Sequence, residues 1–118
     1  MNHRHDEQIE RIRNEFKNSR NVLNAVCDEN RQNILIVLMD NCVGGGVRVD
    51  DIAKRVNLSR PAVSHHLKLL MDENIVSVQK AGTKNFYHIT GGAEILKLKK
   101  LINCIEEFMN EEVRLTGA

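Results

Sequence analysis

The stretch 49–58 most constrains what this chain can fold into, because a short helical period there runs directly into a tight turn. Three apolar residues recur at helical spacing and would face inward: Ile52, Ala53 and Val56. They predict a helix over residues 51–56, with Asp50 as its N-cap. Asn57 and Leu58 make the predicted turn, so the next element must begin close to this helix.

A second helix is predicted to follow at once, from Ser59 to about Glu73. Ser59 can cap it, and Pro61 falls in its first turn, where a missing N–H is harmless. Its buried stripe consists of three residues at helical spacing: Val63, Leu67 and Leu70. Two short helices joined by a tight turn, the second one polar on its outer face, form a helix-turn-helix.

The residues that follow this pair of helices have the pattern of a β-hairpin. Residues 75–80 are predicted as a β-branched strand, residues 81–85 as a turn and residues 86–89 as the return strand. A helix-turn-helix followed by such a hairpin is a winged helix-turn-helix. The predicted fold is therefore mainly α with one small β-hairpin, and residues 49–90 are its predicted DNA-binding core.

Two further helices are predicted before this core. Five apolar residues at steps of three and four, with Ser19 filling one position, predict one long N-terminal helix or two short ones: Ile9, Ile12, Phe16, Leu23 and Val26. Asp28 and Glu29 begin the next helix, where negative charge is favourable. Its body, residues 34–39, is apolar on nearly all sides, which predicts a place at the centre of the fold. The glycine triplet 44–46 ends it and is interpreted as a flexible connection.

The last helix, predicted over residues 93–113, carries an apolar heptad pattern over two heptads: Ile95, Leu98, Ile102, Ile105 and Met109. Leu101 and Phe108 widen this seam, and so wide a seam at the end of a small domain needs a partner. Three residues of the N-terminal stripe have matching spacing and could supply one: Ile9, Ile12 and Phe16. We therefore expect a homodimer formed by residues 1–26 and 93–113, within a single winged helix-turn-helix domain over residues 1–118. The alternative is that both helices pack only on their own core.

Composition narrows the class of protein and its compartment. A chain of 118 residues suits one domain with a modest core. Its start is polar and its longest apolar run is far too short for a membrane helix, so we expect a cytoplasmic protein without a membrane partner. Three cysteines without a CxxC pair are expected to be free thiols. The net charge is only +1, but residues 48–88 carry seven basic residues against four acidic ones.

The residues predicted to touch DNA lie on the outer face of the helix 59–73 and on the hairpin. In this motif the second helix enters the major groove, with its N-terminal end nearest the bases. Eight residues are predicted to contact DNA: Ser59, Arg60, Ser64, His65, Lys68, Lys80, Thr83 and Lys84. Arg60 can bond guanine in bidentate fashion, whereas Lys68 and the hairpin suit phosphate or the minor groove. Since adjacent helix residues point about 100° apart, His65 is interpreted as facing DNA and His66 as a hydrogen-bonded, partly buried residue.

Residues 49–90 resemble the DNA-binding core of the ArsR/SmtB family of bacterial repressors. The resemblance depends on Leu58-Ser59, Pro61-Ala62-Val63-Ser64, His66-Leu67, Leu70, Gly82 and Tyr87. The helix before this core, DENRQNILIVLM, resembles the family's Asp-Pro-x-Arg-x-x-Ile-Leu helix, although Glu29 stands where proline is usual. The resemblance covers roughly residues 20–110 and implies a winged-helix dimer that represses its own operon. It further implies that the dimer leaves a palindromic operator when an inducer binds.

The resemblance also indicates where an inducer could bind. The family's Cys-Val-Cys-Asp-Leu site aligns with residues 48–52, where both cysteines are absent. The family has a second metal site on its last helix, with one pair of ligands early in the helix and one pair later. The later pair of ligands aligns with Cys104 and Glu107, which share a helix face and form half of a Zn(II) site. The early pair aligns with Gly91 and Ala93, which cannot ligate a metal.

Three more residues are candidates for completing an inducer site: His3, His5 and Cys42. Cys42 and Cys104 could instead form a thiol switch that responds to a thiol-reactive species. The alternatives are a disordered terminus and ordinary small residues. A transition metal such as Zn(II) and a thiol-reactive inducer therefore both stay open.

Two other classes of protein fit the sequence less well than a DNA-binding repressor. A winged-helix module that binds proteins and not DNA would have a neutral or acidic outer face on the second helix and hairpin tip, whereas here these surfaces carry Arg60, Lys68, Lys80 and Lys84. An enzyme is not expected, because the chain has no Ser-His-Asp order and its glycine triplet lacks the Lys-Ser/Thr of a phosphate loop.

Overall fold

The computed structural model describes the backbone of residues 3–117 and the side chains of that range except residues 115 and 116. Over this range the chain forms five helices and one antiparallel hairpin: α1 His3–Val26, α2 Glu29–Asp40, α3 Val49–Val56, α4 Arg60–Asp72, β1 Val76–Ala81, β2 Lys84–Ile89 and α5 Gly92–Thr116. The predicted fold, mainly α with a small hairpin after a helix-turn-helix, is confirmed. No helix in residues 3–117 has both the length and the apolar run that crossing a membrane requires.

The helix-turn-helix follows the local signals of the sequence with one exception. Ser59 caps α4 as predicted, because its Oγ accepts a hydrogen bond from the backbone N–H of Ala62 at 3.3 Å. Asn57 makes the turn in the left-handed region, with φ of 56°, which asparagine tolerates better than most residues. The prediction that Asp50 is the N-cap of α3 was wrong. Arg48 holds that position and Asp50 lies in the first turn, where its charge still favours the helix N-terminus.

The hairpin is tighter than the sequence predicts. β1 pairs with β2 from Val76↔Ile89 to Ala81↔Lys84, which leaves a turn of two residues where residues 81–85 were predicted. Gly82 has φ of 65° at the first central position, where a type II′ hairpin turn needs positive φ. The return strand is consequently longer than predicted and begins at Lys84, whereas β1 keeps its predicted length and is shifted by one residue.

The glycine triplet 44–46, interpreted as a flexible connection, is packed against β2 at its last residue, and the interpretation is wrong for Gly46. Gly46 has φ of 100°, and a Cβ there would lie 2.7 Å from the ring of His88. Val47 next to it exchanges two backbone hydrogen bonds with Tyr87, at 3.0 and 2.8 Å. The loop therefore lies along the outer edge of β2, and glycine is needed at position 46 for close approach.

The core is centred on α2, α3 and α4. Its fully buried side chains include Val22 from α1 and five residues from the central helices: Ile34, Ile52, Val63, Leu67 and Leu70. The prediction that α2 is buried on nearly all sides holds for only part of its surface, because Ile36 and Met39 are 60% and 56% exposed. The neighbours of α2 cover the side with Ile34, Leu35, Val37 and Leu38 and leave the opposite side open.

α1 is one long helix that packs antiparallel against α5. The Oγ of Ser19, fully buried as the stripe predicts, donates to the carbonyl oxygen of Lys97 at 3.3 Å. Nearer the other end, Arg11 pairs with Glu107 at 3.7 Å and the rings of His5 and Phe108 lie 5.4 Å apart. These contacts run in opposite directions along the two helices. α1 and α5 therefore form a two-helix layer beside the helix-turn-helix.

Candidate nucleic-acid interface

All eight residues predicted to contact DNA are exposed in the structure. On α4, Arg60, Ser64 and Lys68 recur every four residues and so lie along one outward face, beside the buried stripe of Val63 and Leu67. The sequence and the structure thus agree on which side of α4 faces outward. That side is free of the chain's own core and is available to the major groove.

Arg60 at the start of α4 is held by a neighbouring helix. Its Nε lies 2.8 Å from Oδ1 of Asp50 on α3, and its side chain is 71% exposed. An ion pair so exposed contributes little stability, but it restricts where the guanidinium points. Contact through Nε leaves the terminal Nη1 and Nη2 as the pair that can meet the O6 and N7 of a guanine. Sequence reasoning missed this role of Asp50, since nothing in the local pattern shows that the two residues meet.

The remaining interface residues carry charge or hydroxyl groups toward solvent. The side chain of Lys68 is 74% exposed, and its Nζ lies 3.9 Å from Oδ2 of Asp72, one helical turn further along α4. Lys80 lies on β1, Thr83 in the turn and Lys84 at the start of β2. A hairpin tip with these side chains suits contact with phosphates, which fix the register of a protein on DNA.

The two adjacent histidines of α4 have different surroundings, as predicted. His65 is exposed, whereas His66 is half-buried and its Nδ1 lies 3.2 Å from Nη1 of Arg31 on α2. The backbone N–H of Arg31 also donates to the carboxylate of Asp28, the N-cap of α2, which lowers the pKa of that carboxyl group. Sequence reasoning missed Arg31, although its position in the helix that resembles the family's Arg-containing motif was a usable signal.

Comparison with known proteins agrees with this geometry. The family model described as "Bacterial regulatory protein, arsR family" matches residues 28–78, which include α2, α3 and α4. The chain is 32% identical over 91 residues to the transcriptional repressor SdpR of Bacillus subtilis, covering 77% of this chain and 92% of SdpR. The chain belongs to the ArsR family. The resemblance identified from the sequence is therefore confirmed.

A second relative and a solved structure extend this comparison. The arsenical resistance operon repressor of Staphylococcus aureus is 31% identical to this ArsR-family chain over 74 residues, which is 63% of this chain and 67% of that repressor. An ArsR-like transcriptional regulator from Rhodococcus sp. RHA1 has the same fold, with a TM-score of 0.70 at 23% identity over 85% of this chain and 87% of that one. This ArsR-family protein is a DNA-binding transcriptional regulator.

The candidate inducer ligands of the ArsR-family chain are dispersed. Cys104 is half-buried on α5, and Glu107 on the same helix is engaged with Arg11. Cys42 is exposed just after α2, while His3 and His5 lie in the first turn of α1. Within residues 3–117 of the single chain, no three His, Cys, Asp or Glu side chains come together in a group that could hold a metal.

Proposed function

We propose that this ArsR-family regulator is a homodimeric repressor that acts in the cytoplasm, binds a palindromic operator and leaves it when an inducer binds. The observation that carries the DNA part of the proposal is the exposed face of α4, where Arg60, Ser64 and Lys68 are aligned on a rigid helix. On this face Arg60 reads bases, and Ser64 and His65 contact base edges or phosphates. Lys68 and the hairpin residues Lys80, Thr83 and Lys84 bind phosphates, and Ser59 supports the end of α4 nearest the bases.

The proposed dimer forms through α1 and α5. Six large apolar residues of these two helices are left 46–59% exposed: Phe16, Ile95, Leu96, Ile102, Met109 and Val113. Exposed apolar residues this concentrated indicate a surface for protein–protein contact. Ile95, Ile102 and Met109 are seven residues apart and form one line along α5, as a helix–helix seam requires.

α1 offers a matching surface for that seam. A groove of about 350 Å³ is lined by Ile9, Ile12 and Phe16, with Arg13 and Arg20 beside it. The other two residues of the predicted interface, Leu98 and Ile105, are partly buried in the chain's own fold, and Leu98 packs against the core. We therefore propose Ile95, Ile102 and Met109 as the centre of the interface, with Leu98 and Ile105 supporting them from below.

The dimer determines the form of the operator. Two copies related by a two-fold axis present two α4 helices, so the operator is a palindrome with half-sites about one helical turn, or roughly 10–10.5 bp, apart. The repressor role is supported by two relatives that are named repressors, SdpR and the arsenical resistance operon repressor. The second name associates an arsenical with that repressor, which supports a metal or a thiol-reactive species as the inducer here.

The test is fluorescence anisotropy of a labelled duplex from upstream of the protein's own gene, titrated with reduced protein. We expect tight, salt-sensitive binding that falls at least about tenfold when Zn(II), arsenite or an oxidant is added, a change of about 1.4 kcal/mol. Binding that no addition releases would reject these inducers and leave Cys104 with a structural role. Absence of specific binding at low salt would reject the proposal in favour of a winged-helix module that binds proteins.

A further inference from the structure

Arg31 links three helices from the first turn of α2. Its Nε donates to the carbonyl oxygen of Ala25 at 2.7 Å, and its Nη2 donates to that of Asn24 at 3.1 Å. Both carbonyls belong to the last turn of α1, where helix carbonyls lack partners within the helix and a cation is favourable. Its Nη1 lies 3.2 Å from Nδ1 of His66. One guanidinium therefore connects the end of α1 to the middle of α4.

The contact between Arg31 and His66 determines which ring nitrogen of His66 carries a proton. Arginine has only hydrogen-bond donors, so Nδ1 of His66 must accept, and a neutral ring then carries its proton on Nε2. Arg31 is itself fixed at the start of α2, because its backbone N–H donates to Oδ1 of Asp28 at 3.0 Å. The three partners of the guanidinium and the cap at Asp28 leave the side chain little freedom.

His66 lies at the edge of the buried stripe of α4, on the side away from Arg60, Ser64 and Lys68. The residue before it, His65, is exposed, and the residue after it, Leu67, is fully buried. Apolar contacts such as those of Leu67 are non-directional and tolerate small rotations of a helix. A hydrogen bond weakens steeply when its angle changes. The Arg31–His66 contact therefore restricts the orientation of α4 in a way that the apolar core does not.

We propose that Arg31 is a positioning residue for DNA recognition, which acts through neutral His66 to hold α4 in a fixed orientation relative to the end of α1. The inference rests on the proposed function, because there α1 docks on the partner protomer and α4 reads the operator. A shift of α1 in the dimer is passed to α4 through this guanidinium. Arg31 touches no DNA in this arrangement and acts only by orienting the helix that does.

The first arm of the test compares two neighbours that cap the same helix. Gln32 donates from Nε2 to the carbonyl oxygen of Val26 at 2.8 Å, so it binds the end of α1 as Arg31 does but is one residue away from the contact with His66. We expect Arg31→Gln to lower affinity for the specific duplex about tenfold, the size of a lost hydrogen bond to a charged group, and Gln32→Ala to leave it nearly unchanged. Both variants should stay dimeric. Equal losses in the two variants would overturn the proposal, because capping of α1 would then explain the effect.

The second arm changes the acceptor and also covers the case in which Arg31→Gln fails to fold. His66→Asn places an amide oxygen close to the position of Nδ1 and should retain affinity, whereas His66→Leu removes the acceptor and should lose about as much as Arg31→Gln. The double variant Arg31→Gln with His66→Leu should lose little more than either single variant, as two ends of one contact require. Additive losses, or wild-type affinity in His66→Leu, would overturn the proposal.

The third arm needs no DNA and separates failure of this inference from failure of the proposed function. Nitrogen-15 NMR of the free protein should report His66 as the neutral ring protonated on Nε2, and Arg31→Gln should shift the backbone amides of α4 more than Gln32→Ala does. If these signals behave as expected but the wild-type protein binds no operator, the proposed function fails and the link between α1 and α4 stands. Unchanged α4 amides in Arg31→Gln would overturn the link itself.

Discussion

The helix-turn-helix half of the molecule, which we propose is the half that reads DNA, and the half formed by α1 and α5 differ in how completely one chain buries its own apolar residues. In the first half the inward residues of α3 and α4, such as Ile52, Val63 and Leu67, are fully buried. In the second half Ile95, Ile102 and Met109 remain about half exposed. The chain measures 62 × 25 × 25 Å with a radius of gyration of 18.7 Å, whereas a compact domain of this length would have about 13 Å.

This difference indicates two kinds of stability in one small protein. The helix-turn-helix has a core of its own and can present Arg60 on a rigid support without a partner. The α1–α5 layer is long, and its apolar surface is available to a second copy, as proposed above. Mutations in the two halves should therefore affect different measurements, and four predictions test that separation.

The largest effect is expected in the core of the reading half. Leu67→Ala removes a fully buried side chain from α4 and should lower the free energy of unfolding by about 2–5 kcal/mol, measured by urea denaturation. The matched control is Ile36→Ala on α2, whose side chain is 60% exposed and should cost far less. Similar losses of stability in both variants would contradict the assignment of Leu67 to the core and of Ile36 to the surface.

The next effect separates the halves directly. Ile102→Glu on α5 should yield a folded monomer with operator affinity lowered about 100-fold, or about 2.7 kcal/mol, because each protomer then binds one half-site alone. Ile36→Glu is the control, since Ile36 on α2 is 60% exposed and Ile102 is 59% exposed. Sedimentation velocity should show a dimer for the Ile36 variant alone. A dimeric Ile102→Glu protein would place the interface elsewhere.

A smaller effect divides base reading from phosphate binding within the reading half. Arg60→Ala should cost about 1–3 kcal/mol for the specific duplex while the dimer persists. Lys68→Ala should weaken binding to all sequences alike. It should also reduce the slope of log binding constant against log salt concentration by about one unit. Anisotropy titrations at several salt concentrations, on specific and scrambled duplexes, measure both quantities. A monomeric Arg60→Ala protein would contradict the assignment of Arg60 to the surface.

The smallest effect concerns the start of α2, which lies between the two halves. The pKa of Asp28 is below its ordinary value because the backbone N–H of Arg31 donates to its carboxylate. The carboxylate therefore stabilises the fold above the ordinary pKa of 3.8, and this contribution is lost as the pH falls through the lower folded value. Asp28→Asn keeps an acceptor for the cap but should reduce the fall in melting temperature at acid pH. Glu29→Gln should show the same fall as the wild-type protein. An unchanged fall in melting temperature at acid pH in Asp28→Asn would reject this role of the Asp28 carboxylate.

The residues of the helix-turn-helix could be predicted from the sequence because their signals are local. A cap at Ser59, a proline in the first turn and a stripe at Val63, Leu67 and Leu70 depend only on neighbours within a few residues. The outward face of α4, and with it the positions of the predicted DNA contacts, follows from the same periodicity. These features would be the same in any fold that buries this stripe.

The tertiary structure decided what depends on residues far apart in the chain. An apolar helix such as α2 does not reveal which side its neighbours will cover, so Ile36 and Met39 are exposed although the local pattern predicts burial. The approach of Arg31 to His66, 35 positions away, is equally invisible to any helical period. Local sequence sets the conformation of each element, whereas the exposure and hydrogen-bond partner of a side chain depend on which faces meet when the elements pack together.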